Sequence, residues 1–249
     1  MFHNSRLLSD LQNSIVEIYN EQDLKSLRSI DYTLNGRNIL EWYYKSVDKV
    51  ERHKQSDFDY HKCLDDILFC SDELMFFAGN LYLYLPFIND PIAEAFPIKG
   101  GMLYPNNQNI PGKRYNMFAD VTYQAVYNYW DKIGDLLASF FPEKFKPKNI
   151  YFHSSVSAIY NDYKTIESMK WLNTFRLNEF EELNHKRQQV VHYSTFDTSF
   201  KNDHWKNADH FTTINELQME RKFLPEYFKN HINLSLQGFE NAIIFIEQL

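Results

Sequence analysis

The sequence predicts an all-α protein, a single-domain helical bundle with one long excursion rich in proline and glycine between its central helices. Apolar residues recur every three or four positions over most of the 249 residues, which is the spacing of one helix face. The chain holds only 7 glycines, too few for the turns of a β-sandwich or β-barrel. Its hydrophobic content of 44% is sufficient for a substantial core.

Five amphipathic stretches precede the most polar part of the chain. They predict helices over residues 8–30, 38–53, 60–86, 116–141 and 154–163. The first is interrupted near Asn20, and Asn35-Gly36 marks a turn before the second. Pro86 and Pro142 end two of the others, because proline cannot donate the backbone hydrogen bond that a helix needs.

The predicted elements form one domain with no internal repeat. Its parts are N-terminal helices over residues 1–57, central helices over residues 58–141 and a motif helix with a C-terminal helix over residues 153–249.

Residues 86–112 differ in composition from the rest of the chain. Five of the eight prolines and three of the seven glycines lie there. A connection of this length is a structured excursion or a functional loop. Its apolar residues are expected to pack onto the bundle, and they are Phe87, Ile92, Phe96, Ile98 and Leu103.

The last third of the chain is predicted to contain a motif helix that runs from about Glu167 to Ser194. A polar loop over residues 195–212 follows, and then a final helix broken at Pro225. Because His204 and His210 in the polar loop have no cysteine at zinc-ligand spacing, we expect them at the surface.

Two further features concern the cellular compartment. Cys63 and Cys70 are seven residues apart, so on a helix they share a face about 10 Å apart, too far for a disulfide. They are expected to be reduced, buried thiols. The start of the chain lacks the apolar segment of a signal peptide, and no run of 18 apolar residues occurs. We therefore expect a cytoplasmic protein that does not associate with a membrane.

The stretch 181–194 is the candidate site, because it holds an arginine, two histidines and three carboxamides where a core helix would be apolar. On an α-helix, Arg187 lies about 60° to one side of Asn184 and His192 about 80° to the other. Gln188 and Val191 lie between them. A guanidinium and an imidazole can thus reach one cleft, which suits an anionic ligand.

An arginine followed five residues later by a histidine, across Val190 and Val191 at a helix end, resembles the HEPN superfamily. Its signature is Arg, four to six residues, then His, and the chain is similar to one of the longer bacterial branches. Two positions depart from the usual pattern. Gln188 stands where asparagine or another small polar residue is common, and Tyr193 follows His192 directly instead of one residue later.

This resemblance implies a metal-independent endoribonuclease that cleaves single-stranded RNA without a cofactor. In that reading His192 is the general acid/base and Arg187 clamps the phosphate. Further substrate contacts are assigned to Asn184, Gln188, Lys186 and Asp131. The resemblance also implies a homodimer, a role as a toxin or in phage defence, and an antitoxin or other regulatory protein as partner.

Other interpretations stay open. Arg187 could instead pair with Glu182 or Asp131, and the chain would then be a non-catalytic interaction module or a nucleotide-binding module. The net charge of −7 does not suit a general nucleic-acid binder. An RNA site would have to be a local positive patch.

Overall fold

The computed structural model describes the backbone of residues 2–50, 58–146 and 150–249, and the side chains of these ranges from residue 8 onward. The fold class is all-α, as predicted. The helices are α1 (Phe2–Glu21), α2 (Ile39–Lys49), α3 (Tyr60–Tyr84), α4 (Ile110–Ser139), α5 (Phe152–Tyr163), α6 (Glu167–Leu177), α7 (Glu179–Gln188), α8 (Phe196–Lys206) and α9 (Phe211–Glu247). Two short antiparallel hairpins complete the structure, β1 (Thr33–Leu34) with β2 (Arg37–Asn38) and β3 (Phe96–Ile98) with β4 (Gly101–Leu103).

The chain forms two compact units, and each combines three separate segments. Unit 1 holds residues 1–24, 76–123 and 187–230, and unit 2 holds residues 25–75, 124–186 and 231–249. Helices α3, α4, α7 and α9 each contribute residues to both units.

The core of unit 2 is organised around Trp130, which is fully buried. Its ring stacks on Phe175 with 4.0 Å between ring centroids. Gly238 of α9 lies under the same indole, and a Cβ atom there would come within 2.2 Å of it. A larger residue at position 238 would therefore force two tightly packed helices apart.

The excursion at residues 86–112 is structured, as expected, but its apolar side chains do not all pack inward. Phe87, Phe96 and Ile98 are exposed, whereas Ile92 and Leu103 are half-buried. Hydrogen bonds hold the segment where the apolar contacts were expected. The Tyr104 amide donates to the Ala208 carbonyl at 2.8 Å, and the Asn109 side chain donates to the Phe87 carbonyl at 2.7 Å. The expected apolar packing was wrong for the three exposed residues.

The predicted motif helix is divided in two at Asn178, whose backbone leaves the helical region with φ −112° and ψ −89°. The amide of Asn178 still donates to the Thr174 carbonyl at 3.2 Å, and the Asn178 carbonyl accepts from Glu182 at 3.1 Å. The chain therefore changes direction there without losing these backbone hydrogen bonds.

The predicted polar loop at 195–212 contains helix α8, and His204 within it is buried. Only 1% of His204 is exposed, and its Nε2 lies 2.7 Å from the Tyr104 carbonyl oxygen. The surface position expected for His204 was wrong, because Phe196, Phe200 and His204 form the inner face of α8 at spacings of four residues. His210 is exposed, as expected.

Helix α9 runs through Pro225 without the predicted break. Proline has no N–H, so the carbonyl four residues earlier, that of Arg221, loses its helical donor. The Tyr115 hydroxyl donates to this carbonyl at 2.5 Å. A side chain of α4 thus satisfies the group that the proline leaves without a hydrogen bond.

The two cysteines are free and buried, as predicted. Burial raises the pKa of both thiols, that of Cys70 to about 11, so they are poor nucleophiles at neutral pH. In the described ranges, no helix combines the length and the apolar character needed to cross a membrane.

Candidate active site

The segment that carries the predicted site changes from an α-helix to a π-helical turn between Arg187 and His192. Helix α7 ends at Gln188, and Gln189–Tyr193 form a π-helical turn. The Ser194 amide donates to the Gln189 carbonyl at 3.0 Å, an i→i+5 hydrogen bond. In an α-helix, residues five apart point about 140° away from each other. A π turn holds more residues per turn and therefore rotates His192 toward the side that carries Arg187.

Both main residues are accessible to solvent. His192 and Gln188 are exposed, and Arg187 and Asn184 are half-buried. The buried face of α7 consists instead of Phe180 and Leu183. The site residues therefore lie on the outer side of this helix, where a ligand can reach them.

Lys186, a predicted substrate contact, forms an ion pair with Glu182 one turn earlier, with 2.7 Å between Nζ and Oε1. The hydrogen bond from Lys186 lowers the pKa of Glu182, and burial opposes this effect. Both side chains are largely solvated, so the pair contributes little to stability. It does reduce the positive charge that Lys186 offers to an anion.

Asp131, also predicted to contact the substrate or to pair with Arg187, takes part in starting a helix. Its Oδ1 accepts a hydrogen bond from the Phe152 amide at 3.1 Å. Phe152 is the first residue of α5, whose leading N–H groups have no intrahelical acceptor. The carboxylate also interacts favourably with the positive end of the helix dipole.

The segment after the π turn is held by a carboxylate of α4. Asp120 accepts a hydrogen bond from the Phe196 amide at 2.8 Å, at the first residue of α8. Thr195 caps the same helix, since its hydroxyl accepts from the Thr198 amide at 3.3 Å. Burial raises the pKa of Asp120, and the Phe196 hydrogen bond opposes that rise. These contacts fix the chain three residues beyond His192.

Asp197, the second residue of α8, is the next anchor. Its carboxylate accepts hydrogen bonds from the side chains of Gln108 and Asn116, the latter at 2.7 Å. Lys201 pairs with it at 2.5 Å. Burial opposes the charged form, yet the hydrogen bonds from Lys201, Gln108 and Asn116 lower the pKa of Asp197. The start of α8 is therefore tied to α4 through two carboxylates.

Arg221 on α9 is the buried centre of this polar network and is only 1% exposed. It donates to the side-chain oxygens of Asn116 and Asn89, both at 3.1 Å, and to the Gly112 carbonyl at 3.2 Å. Burial lowers its pKa to about 10. Its guanidinium carbon also lies 4.8 Å from the centroid of the Phe200 ring of α8, which adds a cation–π contact.

Asp120, Asp197 and Arg221 were not among the residues predicted for the site. A usable signal existed for Arg221, since it occupies an apolar position in the helical spacing set by Ile214 and Phe228. For the two aspartates we find no comparable sequence signal.

The described part of the structure contains two notable surface cavities. One of about 330 Å³ is lined by residues such as Arg37, Trp42 and Glu247. The other, of about 540 Å³, is lined by residues that include Trp171 and Asn241. Neither is lined by Arg187 or His192.

Among the described residues, no group of three or more histidine, cysteine, aspartate or glutamate side chains is placed to hold a metal ion.

An all-α chain with an exposed histidine and an accessible arginine at the end of one helix has the features of the HEPN superfamily. Comparison with family models makes the assignment specific, because residues 102–247 match the family described as HEPN_Cthe2314-like HEPN. The match covers more than half of the chain and includes all of α4 through α9, so the protein belongs to this family. No curated protein and no solved structure matches the chain.

Proposed function

We propose that the protein is a metal-independent endoribonuclease that cleaves single-stranded RNA by attack of the 2′-hydroxyl on the adjacent phosphate. The observation that carries this proposal is that Arg187 and His192 are both accessible at one helix end, with His192 inside a π turn. Membership of a HEPN family supports it, and π turns in helices are frequent at functional sites.

The proposed chemistry uses two groups of the chain and one group of the RNA. His192 takes the proton of the 2′-hydroxyl or gives one to the leaving 5′ oxygen, since histidine exchanges protons near neutral pH. Arg187 binds the non-bridging phosphate oxygens and stabilises the charge that grows on them. The oxygen–phosphorus bond to the 5′ oxygen breaks as the bond from the 2′ oxygen forms. The products are a 2′,3′-cyclic phosphate and a 5′-hydroxyl.

Asn184 and Gln188 lie one turn apart on the outer side of α7 and supply amide contacts to the ribose or phosphate in this proposal. Lys186 adds a phosphate contact if the RNA backbone competes with Glu182 for its ammonium group. Asp131, which accepts from the Phe152 amide, takes a positioning role through α5.

The test is cleavage of a single-stranded RNA in the presence of EDTA. We expect His192→Ala to slow cleavage by about 10²–10⁴-fold, the usual contribution of a general acid/base. Arg187→Ala is expected to cost about 10²–10³-fold through lost charge stabilisation. His185→Ala is the matched control, because His185 is exposed on the same helix outside the motif.

A substrate with a single 2′-deoxyribose at the cleaved position tests the chemistry itself. It removes the nucleophile and is expected to stop cleavage there, with intact cleavage at neighbouring ribonucleotides. Cleavage at full rate in either motif variant, or at the deoxyribose, would contradict the proposal.

The proposal extends to partners and biological role. We propose that the active form in the cytoplasm is a homodimer and that a regulatory or antitoxin protein restrains its activity in a toxin or phage-defence system. HEPN domains commonly form dimers and bind RNA. Light scattering of the purified protein at several concentrations tests the dimer, and a monomer at every concentration would remove it.

A further inference from the structure

The two most exposed large apolar side chains in the described part of the chain follow the motif closely. Tyr193 is 85% exposed and Trp205 is 79% exposed, and the next in order, Ile110, is 68% exposed. Tyr193 is the residue directly after His192, and Trp205 lies at the end of α8. Large aromatic side chains normally gain considerable free energy from burial. Their exposure here calls for an explanation.

Helix α8 is firmly held, so Trp205 cannot turn inward without breaking established contacts. Phe200 and His204 form the buried face of the helix, and His204 is bound to the Tyr104 carbonyl. One residue further along, Trp205 points about 100° away from His204. The packing that buries His204 thus directs the indole into solvent.

The outer face of α8 next to Trp205 is polar. The outer face of α8 carries Thr198, Asn202 and Lys206, all exposed. The centre of a protein–protein interface is depleted in charged residues and rich in adjoining apolar ones. Proteins that bind single-stranded nucleic acid combine exposed aromatic rings, on which bases stack, with positive charge along the path of the backbone.

We infer that Tyr193 and Trp205 form a stacking platform for the unpaired bases of RNA beside the phosphate that Arg187 holds. This inference rests on the proposed function and adds the part of the substrate that is recognised. Trp205 lies about 14 Å along α8 from Phe196, the first residue of the helix. At about 3.4 Å per stacked base, the platform spans roughly four bases on one side of the scissile phosphate.

The platform explains how a chain with net charge −7 binds a polyanion. Each base that stacks on an aromatic side chain contributes binding free energy that does not depend on positive charge. Every base has a π face, so recognition is tolerant of sequence. Bases in a duplex already stack on each other, so the platform selects single strands.

The experiment measures binding of a short fluorescein-labelled oligouridylate by anisotropy, in the His192→Ala background so that cleavage does not consume the probe. Trp205→Ala and Tyr193→Ala are each expected to weaken binding by about 5- to 150-fold. Trp205→Phe and Tyr193→Phe keep a stacking ring and are expected to stay within a few-fold of the parent. Phe69→Ala is the matched control, an exposed aromatic residue on α3.

Each outcome decides the inference. Losses confined to the two alanine variants, with a labelled RNA duplex bound weakly by all forms, support it. Unchanged affinity in both alanine variants, or equal binding of duplex and single strand, overturns it. Loss of self-association instead of RNA affinity assigns the rings to a protein interface and also overturns it. If the oligouridylate binds through the rings but no RNA is cleaved by the unmutated protein, the proposed function fails and the stacking platform stands.

Discussion

His231 is a histidine of α9 whose environment differs from that of the exposed His192. It is 2% exposed, and burial lowers its pKa to about 4. The negative charge of Glu182 opposes this decrease, and the positive charge of Lys186 adds to it. A neutral imidazole is thus built into the core of unit 2 next to the ion pair on α7.

This burial predicts a pH dependence of stability. An unfolded histidine binds a proton below about pH 6.5, whereas folded His231 does so only near pH 4. Between these values the unfolded state holds more protons, so the free energy of unfolding falls as the pH falls, and the full stability is present above pH 6.5. We expect His231 alone to lower the free energy of unfolding by about 3 kcal/mol as the pH falls through this window.

Urea unfolding at several pH values, with His231→Gln beside the parent, measures the effect. The variant is expected to lose most of the slope between pH 6.5 and 4.5. Burial and the positive charge of Arg176 also lower the pKa of His153. His153→Gln therefore measures the contribution of His153 to the pH dependence separately. An unchanged slope in His231→Gln would show that the imidazole is not buried in the neutral form.

Residue types alone separate functional from structural positions poorly in this chain. Arg187 and His192 could be selected from the sequence because they stand in a stretch with few apolar residues. Arg221 and His204 are the same residue types, but tertiary contacts that no local pattern encodes bury them. Asn116 and Asn89 satisfy Arg221 from positions over a hundred residues away in the chain.

At the scale of elements, the sequence predicted most of the helices before residue 163 and the existence of the final helix. The errors share a cause, which is that long-range contacts override local signals. Pro225 does not end α9 because Tyr115 satisfies the carbonyl left without a donor. Helix α8 was predicted as a loop because most of its residues are polar. Its buried face consists of Phe200 and His204 alone, and a face this short produces no clear apolar periodicity in the sequence.

The π turn at Gln189–Tyr193 is the element on which the site geometry depends, and a deletion tests it. Removing Val191, which is exposed, takes out the residue that the wider turn accommodates. The segment is then expected to close as an ordinary α-helical turn in which the histidine stands four residues after Arg187, about 40° from it around the helix axis. Because the two side chains stay on one side of the helix, cleavage should be retained, well above the level of His192→Ala, which loses roughly 10²–10⁴-fold.

Val191→Ala is the control for this deletion, because it keeps the length of the turn and is expected to keep most of the activity. Circular dichroism and the thermal midpoint should agree between the two variants, since Asp120 still holds the start of α8. A deletion variant that keeps its thermal midpoint but cleaves no faster than His192→Ala would contradict this account of the turn.

For the whole molecule, the charge distribution limits how RNA is bound. The chain has 33 acidic and 26 basic residues, and several surface lysines are already paired with carboxylates. Examples are Lys186 with Glu182, Lys201 with Asp197 and Lys222 with Asp90. These pairs reduce the positive charge that their lysines offer to the phosphates of a strand, and the net negative charge of the chain repels the strand at long range.

The affinity for single-stranded RNA is therefore expected to depend weakly on salt. Each phosphate contact contributes about −0.7 to the slope of log K against log salt concentration for a single strand. Contacts from Arg187 and Lys186 alone give a slope of about −1.4. Glu182→Gln releases Lys186 from its ion pair and should tighten binding several-fold at low salt, whereas Lys186→Gln should reduce the slope to about −0.7. Anisotropy titrations over a range of salt concentrations measure both changes. A slope steeper than about −3 would require more phosphate contacts than this surface provides, and base stacking would then not be the main source of affinity.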